Sequence, residues 1–166
     1  MFACNEGGHF SQMMALKQLF GKYESVLVTD NLHASKEHTP ALKDIGVVDY
    51  AMSMAKRRQH IMEAGIEIKS RMQSFKSYLL LFSECKKLWD KYRPAVIITT
   101  GSNIAVGLFI YGWFRGSKLI FIESRAKVYS KTVTGKIVEK FADKIFVQWP
   151  EMKKIYPTAE YCGVLV

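Results

Sequence analysis

Residues 118–125 constrain the fold of this chain more than any other stretch. They read K-L-I-F-I-E-S-R, an apolar run that ends abruptly in polar and charged residues. A run of consecutive apolar residues is typical of a strand inside a parallel sheet, because both faces of such a sheet are covered. Glu123, Ser124 and Arg125 would then lie at the carboxyl edge of the sheet, which is where open α/β sheets bind ligands.

Two other segments repeat the pattern of a short apolar strand followed by a polar turn. Residues 95–98 lead into T-T-G-S-N, and residues 1–4 lead into N-E-G-G-H. Strands and helices alternate along the rest of the chain, which predicts an α/β fold with a Rossmann-like parallel sheet flanked by helices. The length of 166 residues predicts one domain over residues 1–166. Three polar turns at one sheet edge predict a ligand site.

The charge and cysteine content limit the classes of partner. The net charge of +9 favours polyanions such as phosphorylated substrates and anionic lipid headgroups, whereas no nucleic-acid-binding motif accompanies it. Three widely spaced cysteines without a C-x-x-C pair predict a reduced, cytoplasmic chain. No signal-peptide pattern is present, and the longest apolar run, residues 104–114, is far shorter than the ~20 residues that span a bilayer.

The first turn carries Gly7, Gly8 and His9 between a strand and a helix. Two glycines let a backbone approach a bound group, a helix start favours phosphate, and a histidine there can act as a base or donate to an anion. The alternative is a tight turn with His9 merely beginning the helix. The third glycine of the dinucleotide fingerprint is absent, so we predict no nicotinamide or flavin cofactor.

The second and third turns also allow two interpretations each. Hydroxyls and amides of the second turn can hold a diphosphate or a sugar, or Ser102 can simply cap the following helix. In the third turn, Glu123 can accept the proton of an attacking hydroxyl and Arg125 can hold phosphate oxygens, or the two can form a local ion pair of little energetic consequence. The position at the sheet edge favours the functional interpretation. The second turn contributes the candidates Thr100, Gly101, Ser102 and Asn103.

Other conspicuous residues receive simpler interpretations. His33, His38 and His60 lack metal-ligand spacing, so we predict surface residues and no metal site. The basic and apolar stretch 56–93 can lie on an anionic membrane, although a helix packed on the sheet with solvated lysines produces the same pattern.

These motifs together resemble a known family. The runs T-T-G-S-N, F-I-E-S-R-A-K-V-Y-S-K-T-V-T-G-K-I and A-D-K-I-F-V-Q-W-P, with G-G-H-F-S-Q-M-M-A-L near the start, resemble the acceptor-side subunit of two-part N-acetylglucosaminyltransferases. The eukaryotic member anchors a catalytic partner at the endoplasmic reticulum and helps extend the dolichol-diphosphate carrier. Bacterial members serve capsule and exopolysaccharide synthesis. Unlike the eukaryotic member, this sequence shows no amino-terminal anchor, and Asn5 and Glu6 replace small residues before the glycine pair.

The resemblance implies a fold, a partner and a set of roles. The fold is expected to match the amino-terminal half of a GT-B glycosyltransferase, which binds the lipid-diphosphate acceptor, while a separate subunit supplies the UDP-sugar site. Transfer would be direct, inverting and metal-independent, with His9 or Glu123 as base, at the cytoplasmic face of the membrane. A non-catalytic scaffold that recruits the partner is the alternative. The resemblance assigns to the acceptor side Gly7, Gly8, Thr100, Gly101, Ser102, Asn103, Ser124 and Arg125.

Overall fold

A computed structural model describes residues 1–31, 33–34, 39–51 and 71–165, with the side chains of 71–76 left out. Within these residues, seven strands form one parallel sheet in the order β3-β2-β1-β4-β5-β6-β7. This confirms the predicted Rossmann-like α/β fold. The strands are β1 (Phe2–Cys4), β2 (Val26–Thr29), β3 (Val47–Tyr50), β4 (Val96–Thr99), β5 (Lys118–Ile122), β6 (Lys144–Val147) and β7 (Glu160–Tyr161).

Four α-helices are described, together with three 3₁₀ turns. The most apolar of them, α3, has only 12 residues, and within the described ranges no helix combines the length and apolar character needed to cross a bilayer. The α-helices are α1 (Gly8–Met14), α2 (Arg71–Tyr92), α3 (Asn103–Phe114) and α4 (Val133–Val138), and the 3₁₀ turns are Lys17–Leu19, Pro40–Leu42 and Pro150–Lys154.

The sequence predicts that the first turn leads into a helix over residues 10–20, and the structure places this helix differently. It begins two residues earlier, because Gly7 with a φ of +83° provides its N-cap. It ends at Met14, where the Leu16 amide donates to the Met13 carbonyl at 3.0 Å and the chain tightens into 3₁₀ geometry. Met52, His38, His60 and residues 56–70 of the basic stretch lie outside the described residues, whereas His33 is exposed.

The core has two layers, one on each face of the sheet. Alternate residues of a strand point to opposite faces, so Phe2 packs with Met13 and Phe20 on the α1 side. Ile97 and Phe121 pack with α2, α3 and α4 on the other side.

The strand order fixes where a ligand can enter. The strands β2 and β3 are added on one side of β1. The strands β4 to β7 are added on its other side, in the opposite direction. Neighbouring strands whose connections leave in opposite directions open a crevice at their carboxyl ends. The turns after β1, β4 and β5 therefore adjoin one another at this edge.

Candidate functional site

A cavity of about 670 Å³ lies at the carboxyl edge of the sheet. Its walls come from the turn after β1, from α1, and from the turns after β5 and β6. Two of the three predicted turns thus line one space. The lining residues are Gly8, His9, Ser11, Gln12, Ser124, Arg125, Ala126, Trp149 and Leu165.

The glycine pair leaves its backbone uncovered. A Cβ atom added to Gly7 or to Gly8 would meet no protein atom within 4 Å. Gly8 also lines the cavity. The space beside this backbone is therefore open to a bound molecule, as the glycine pattern predicts.

The histidine of the first turn is held in one tautomer. His9 Nδ1 lies 2.7 Å from the carbonyl oxygen of Thr100. A carbonyl oxygen can only accept a hydrogen bond, so Nδ1 carries the proton and neutral His9 keeps a lone pair on Nε2. The Thr100 hydroxyl in turn donates to the His9 carbonyl at 2.8 Å. The second turn thus fixes both the ring and the backbone of His9, and leaves Nε2 able to accept a proton.

Gly101 makes this close approach possible. Its φ is +102°, and a Cβ atom at this position would lie 2.9 Å from His9 Cε1. Real Cβ contacts are essentially never that short, so the ring would have to move. Gly101 therefore supports His9 rather than contacting the cavity itself.

We expect Gly101→Ala to destabilise the chain and displace the His9 ring. The positive φ costs a residue with a Cβ about 1–2 kcal/mol, and the added methyl group collides with the imidazole. Denaturant unfolding measures the first effect and the NMR signals of the His9 ring measure the second. Gly116→Ala is the matched control, because Gly116 has a φ of +79° with no atom within 4 Å of its added Cβ. It should lose comparable stability and leave the His9 signals in place; an unmoved ring in both variants would contradict the prediction.

The last two residues of the second turn lie away from the cavity. Ser102 Oγ accepts a hydrogen bond from the Ala105 amide at 3.1 Å, so this side chain caps α3. Asn103 lines a separate cleft between α2, α3 and α4. Capping, the simpler interpretation, accounts for Ser102.

Glu123 is enclosed rather than facing the cavity. Its side chain is 1% exposed. One carboxylate oxygen accepts from the Ser124 amide at 2.8 Å. The other accepts from the Tyr156 hydroxyl at 2.7 Å, the Thr132 amide at 3.0 Å and the Thr132 hydroxyl at 3.2 Å. Burial, then the hydrogen bond to Glu123, raise the pKa of Tyr156 above its usual range, so its hydroxyl stays protonated and donates. Of the two candidate bases, only His9 lines the cavity.

Arg125 lines the cavity and is held there through its backbone. Its amide donates to Gln12 Oε1 at 3.0 Å, and its carbonyl accepts from Trp149 Nε1 at 2.7 Å. Over the described ranges, no carboxylate lies within 4.0 Å of its guanidinium group. The local ion pair with Glu123 is therefore not formed, and the guanidinium group is available to an anion. Ser124, beside it, also lines the cavity.

Two glutamines, Gln12 and Gln148, join the walls of the cavity, and neither belongs to the three predicted turns. Gln148 is 2% exposed. It donates from Nε2 to Gln12 Oε1 at 2.5 Å and to the Glu123 carbonyl at 2.8 Å. Its Oε1 accepts from the Leu165 amide at 2.9 Å. The available signal was a polar residue directly after the apolar strand β6, the same pattern as in the other turns.

Comparison with known proteins identifies a family and several relatives that this chain is similar to. The family model described as "Oligosaccharide biosynthesis protein Alg14 like" matches residues 2–165. The UDP-N-acetylglucosamine transferase subunit ALG14 of Yarrowia lipolytica is 35% identical over 92 residues, which cover 51% of this chain and 42% of that protein. The subunit of Schizosaccharomyces pombe is 32% identical over 83 residues, 46% of this chain and 40% of that protein.

A mammalian relative matches over a longer range. The subunit of Mus musculus is 23% identical over 183 aligned positions, which cover 100% of this chain and 82% of that protein. Against the two yeast proteins, the chain spans only about two fifths of the relatives' length.

Proposed function

The chain belongs to the Alg14-like family of oligosaccharide biosynthesis proteins, and from this premise we propose that it is the acceptor-binding subunit of a heteromeric glycosyltransferase. A separate subunit holds a UDP-sugar, and this chain holds a lipid-diphosphate-linked saccharide. The sugar transferred is GlcNAc or a related hexose. The relatives named as subunits of a UDP-N-acetylglucosamine transferase support a partner and a donor of this kind. The resemblance to bacterial members supports surface polysaccharide as the product.

The proposed reaction is a direct displacement with inversion. A hydroxyl oxygen of the acceptor sugar attacks the anomeric carbon, and the bond from that carbon to the UDP oxygen breaks with its electron pair leaving on UDP. The hydroxyl proton passes to His9 Nε2. The single observation that carries this assignment is the hydrogen bond from Nδ1 to the Thr100 carbonyl, which leaves Nε2 as the acceptor.

The carrier diphosphate has a place in the same cavity. Arg125 offers two parallel N–H donors to phosphate oxygens, and the uncovered backbone at Gly8 leaves room for the group beside it. Thr100 and Gly101 act by positioning His9. Glu123 acts by holding the turn that carries Arg125.

Labelled-sugar transfer from UDP-sugars to a membrane lipid extract tests the proposal. The chain alone, the partner alone and the mixture are compared in the same detergent. We expect transfer from the mixture only. Transfer by this chain alone would overturn the assignment of the nucleotide site to the partner.

A non-catalytic scaffold is the second candidate. The hydrogen bonds of Glu123 and Ser102 within the fold favour it. If these two residues are structural, the catalytic role rests on His9 and Arg125 alone. A scaffold would raise transfer by the partner, and substitution of His9 would not reduce that increase. The mixture assay with His9 variants therefore separates the two candidates.

A further inference from the structure

Gln148 is a buried polar residue to which the proposed reaction gives no role. It follows β6 directly and does not line the cavity. Burying a carboxamide costs free energy unless its N–H groups and its oxygen form hydrogen bonds. In Gln148 both the Nε2 group and the oxygen have partners in the chain. Any effect of Gln148 on the cavity must therefore pass through these partners.

The partners of Gln148 belong to three different segments around the cavity. Nε2 donates to the Gln12 side chain on α1 and to the Glu123 carbonyl, where the turn after β5 begins. Oε1 accepts from the Leu165 amide, in the segment after β7. Gln12 and Leu165 line the cavity, and so does the turn that follows Glu123. One buried side chain thus holds three walls of the cavity together.

Only one orientation of the Gln148 carboxamide fits these partners. The Glu123 carbonyl oxygen can only accept a hydrogen bond, and the Leu165 amide can only donate one. Turning the carboxamide over would place its oxygen against the carbonyl and its N–H groups against the amide. The Nε2 donors are therefore directed at Glu123 and Gln12.

Gln12 connects Gln148 to Arg125. Gln12 Oε1 also accepts from the Arg125 amide, while its Nε2 donates to the Gly8 carbonyl at 3.1 Å. The Arg125 carbonyl accepts from Trp149, the residue after Gln148. Both sides of the Arg125 backbone are thus fixed from the end of β6, one directly and the other through Gln12.

We propose that Gln148 is a positioning residue that sets the distance between His9 and Arg125 across the cavity. His9 and Gln12 lie about one turn apart on α1. The bridge from Gln12 to Gln148 therefore locates the histidine relative to the turn that carries Arg125. This inference rests on the proposed function: the hydroxyl at His9 and the diphosphate at Arg125 belong to one acceptor molecule, so both bind productively only at the correct separation.

Binding of inorganic diphosphate to the full chain tests the inference without a partner or a lipid. Gln148→Met keeps a side chain of similar volume and removes all of its hydrogen bonds. We expect the affinity for diphosphate, measured by isothermal titration calorimetry, to fall about tenfold. The NMR signal of the Arg125 amide should shift in the same variant, because its acceptor Gln12 is no longer held.

Ser117→Ala is the matched control for the loss of buried hydrogen bonds. The Ser117 hydroxyl donates to the Pro94 carbonyl at 2.7 Å and accepts from Trp89 Nε1 at 2.9 Å. Ser117 directly precedes β5, so it lies at the amino edge of the sheet, away from the cavity. This variant should lose stability while the affinity for diphosphate and the Arg125 signal stay unchanged.

Gln12→Met breaks the same bridge from its partly exposed end, so it tests the inference even if Gln148→Met does not fold. The affinity for diphosphate should fall here as well. In the double variant, the total loss should fall well short of the product of the two single losses, because both substitutions remove one connection to Arg125.

Three results would overturn the inference. They are an unchanged affinity for diphosphate in a folded Gln148→Met or Gln12→Met variant, an equal loss of affinity in Ser117→Ala, and single losses that multiply in the double variant.

Sugar transfer by the mixture with the partner separates a positioning role from a purely structural one. Gln148→Met should raise the KM for the lipid-linked acceptor about tenfold and leave the KM for the UDP-sugar unchanged. A smaller folded fraction would lower kcat alone, and an unchanged KM for the acceptor would count against the inference.

The two assays also separate the inference from the proposed function. If the mixture transferred no sugar while the diphosphate results held, the proposed function would fail and the positioning of Arg125 by Gln148 would stand. If the mixture transferred sugar while the unmodified chain bound no diphosphate, the inference alone would fail.

Discussion

Replacing His9 by glutamine is expected to lower partner-dependent sugar transfer by about 10²- to 10⁴-fold, the usual contribution of a positioned general base. Glutamine keeps an N–H group that can reach the Thr100 carbonyl, but its side chain cannot take a proton at neutral pH. His9 is only partly buried, so the free energy of unfolding should change by about 1 kcal/mol at most. Initial rates in the mixture with the partner, together with denaturant unfolding, provide the two measurements.

His33→Gln is the matched control for this substitution. His33 is exposed and does not line the cavity. The complex with the His33→Gln variant should therefore transfer sugar at the rate of the unmodified complex. If the His9 variant also transferred sugar at the unmodified rate while remaining folded, His9 would not be the base. The scaffold interpretation would then be the better account of the chain.

The position of the cavity at the sheet edge could be predicted because it depends on local pattern. Polar residues that follow a buried strand lie at the carboxyl edge of a parallel sheet, whichever strands are neighbours. The apolar run before Glu123 was enough to place Ser124 and Arg125 at that edge. The strand β5, Lys118–Ile122, ends directly before Glu123, where the apolar run ends in the sequence.

The direction of each side chain could not be predicted, because it depends on residues distant in sequence. Glu123 follows the strand directly, and its carboxylate meets Thr132 and Tyr156, 9 and 33 positions later. Gln12 and Gln148 are 136 positions apart. No local pattern distinguishes a carboxylate enclosed by such partners from one that faces a cavity.

The second large effect is expected from Glu123→Ala, in the free energy of unfolding. The substitution leaves the Tyr156 hydroxyl, the Thr132 amide and the Ser124 amide without their acceptor. Each buried donor that loses its partner costs about 1–3 kcal/mol. The Thr132 amide is only partly buried and can bind water instead, so we expect a loss toward the low end of the sum for three donors, about 3–5 kcal/mol, in denaturant unfolding. Glu24→Ala, which removes an exposed carboxylate, should change stability by less than about 0.5 kcal/mol.

A second substitution disturbs the same hydrogen bonds from another side. A Cβ atom added to Gly135 would lie 2.1 Å from the Tyr156 hydroxyl oxygen and 2.6 Å from a Glu123 carboxylate oxygen. Gly135→Ala must therefore push the two groups apart and is expected to destabilise the chain by several kcal/mol, about as much as Glu123→Ala.

A comparison of Glu123→Gln with Glu123→Ala shows whether the Glu123 carboxylate is structural or catalytic. Glu123→Gln keeps the shape of the side chain and one acceptor oxygen, so it should lose less stability than Glu123→Ala. The rate of sugar transfer per folded molecule should remain close to that of the unmodified chain. A catalytic base at this position would give the opposite result, with stability nearly retained and transfer lost by orders of magnitude. Because Glu123 is 1% exposed and accepts four hydrogen bonds from its own chain, we expect the stability of the fold, and not the chemistry, to depend on it.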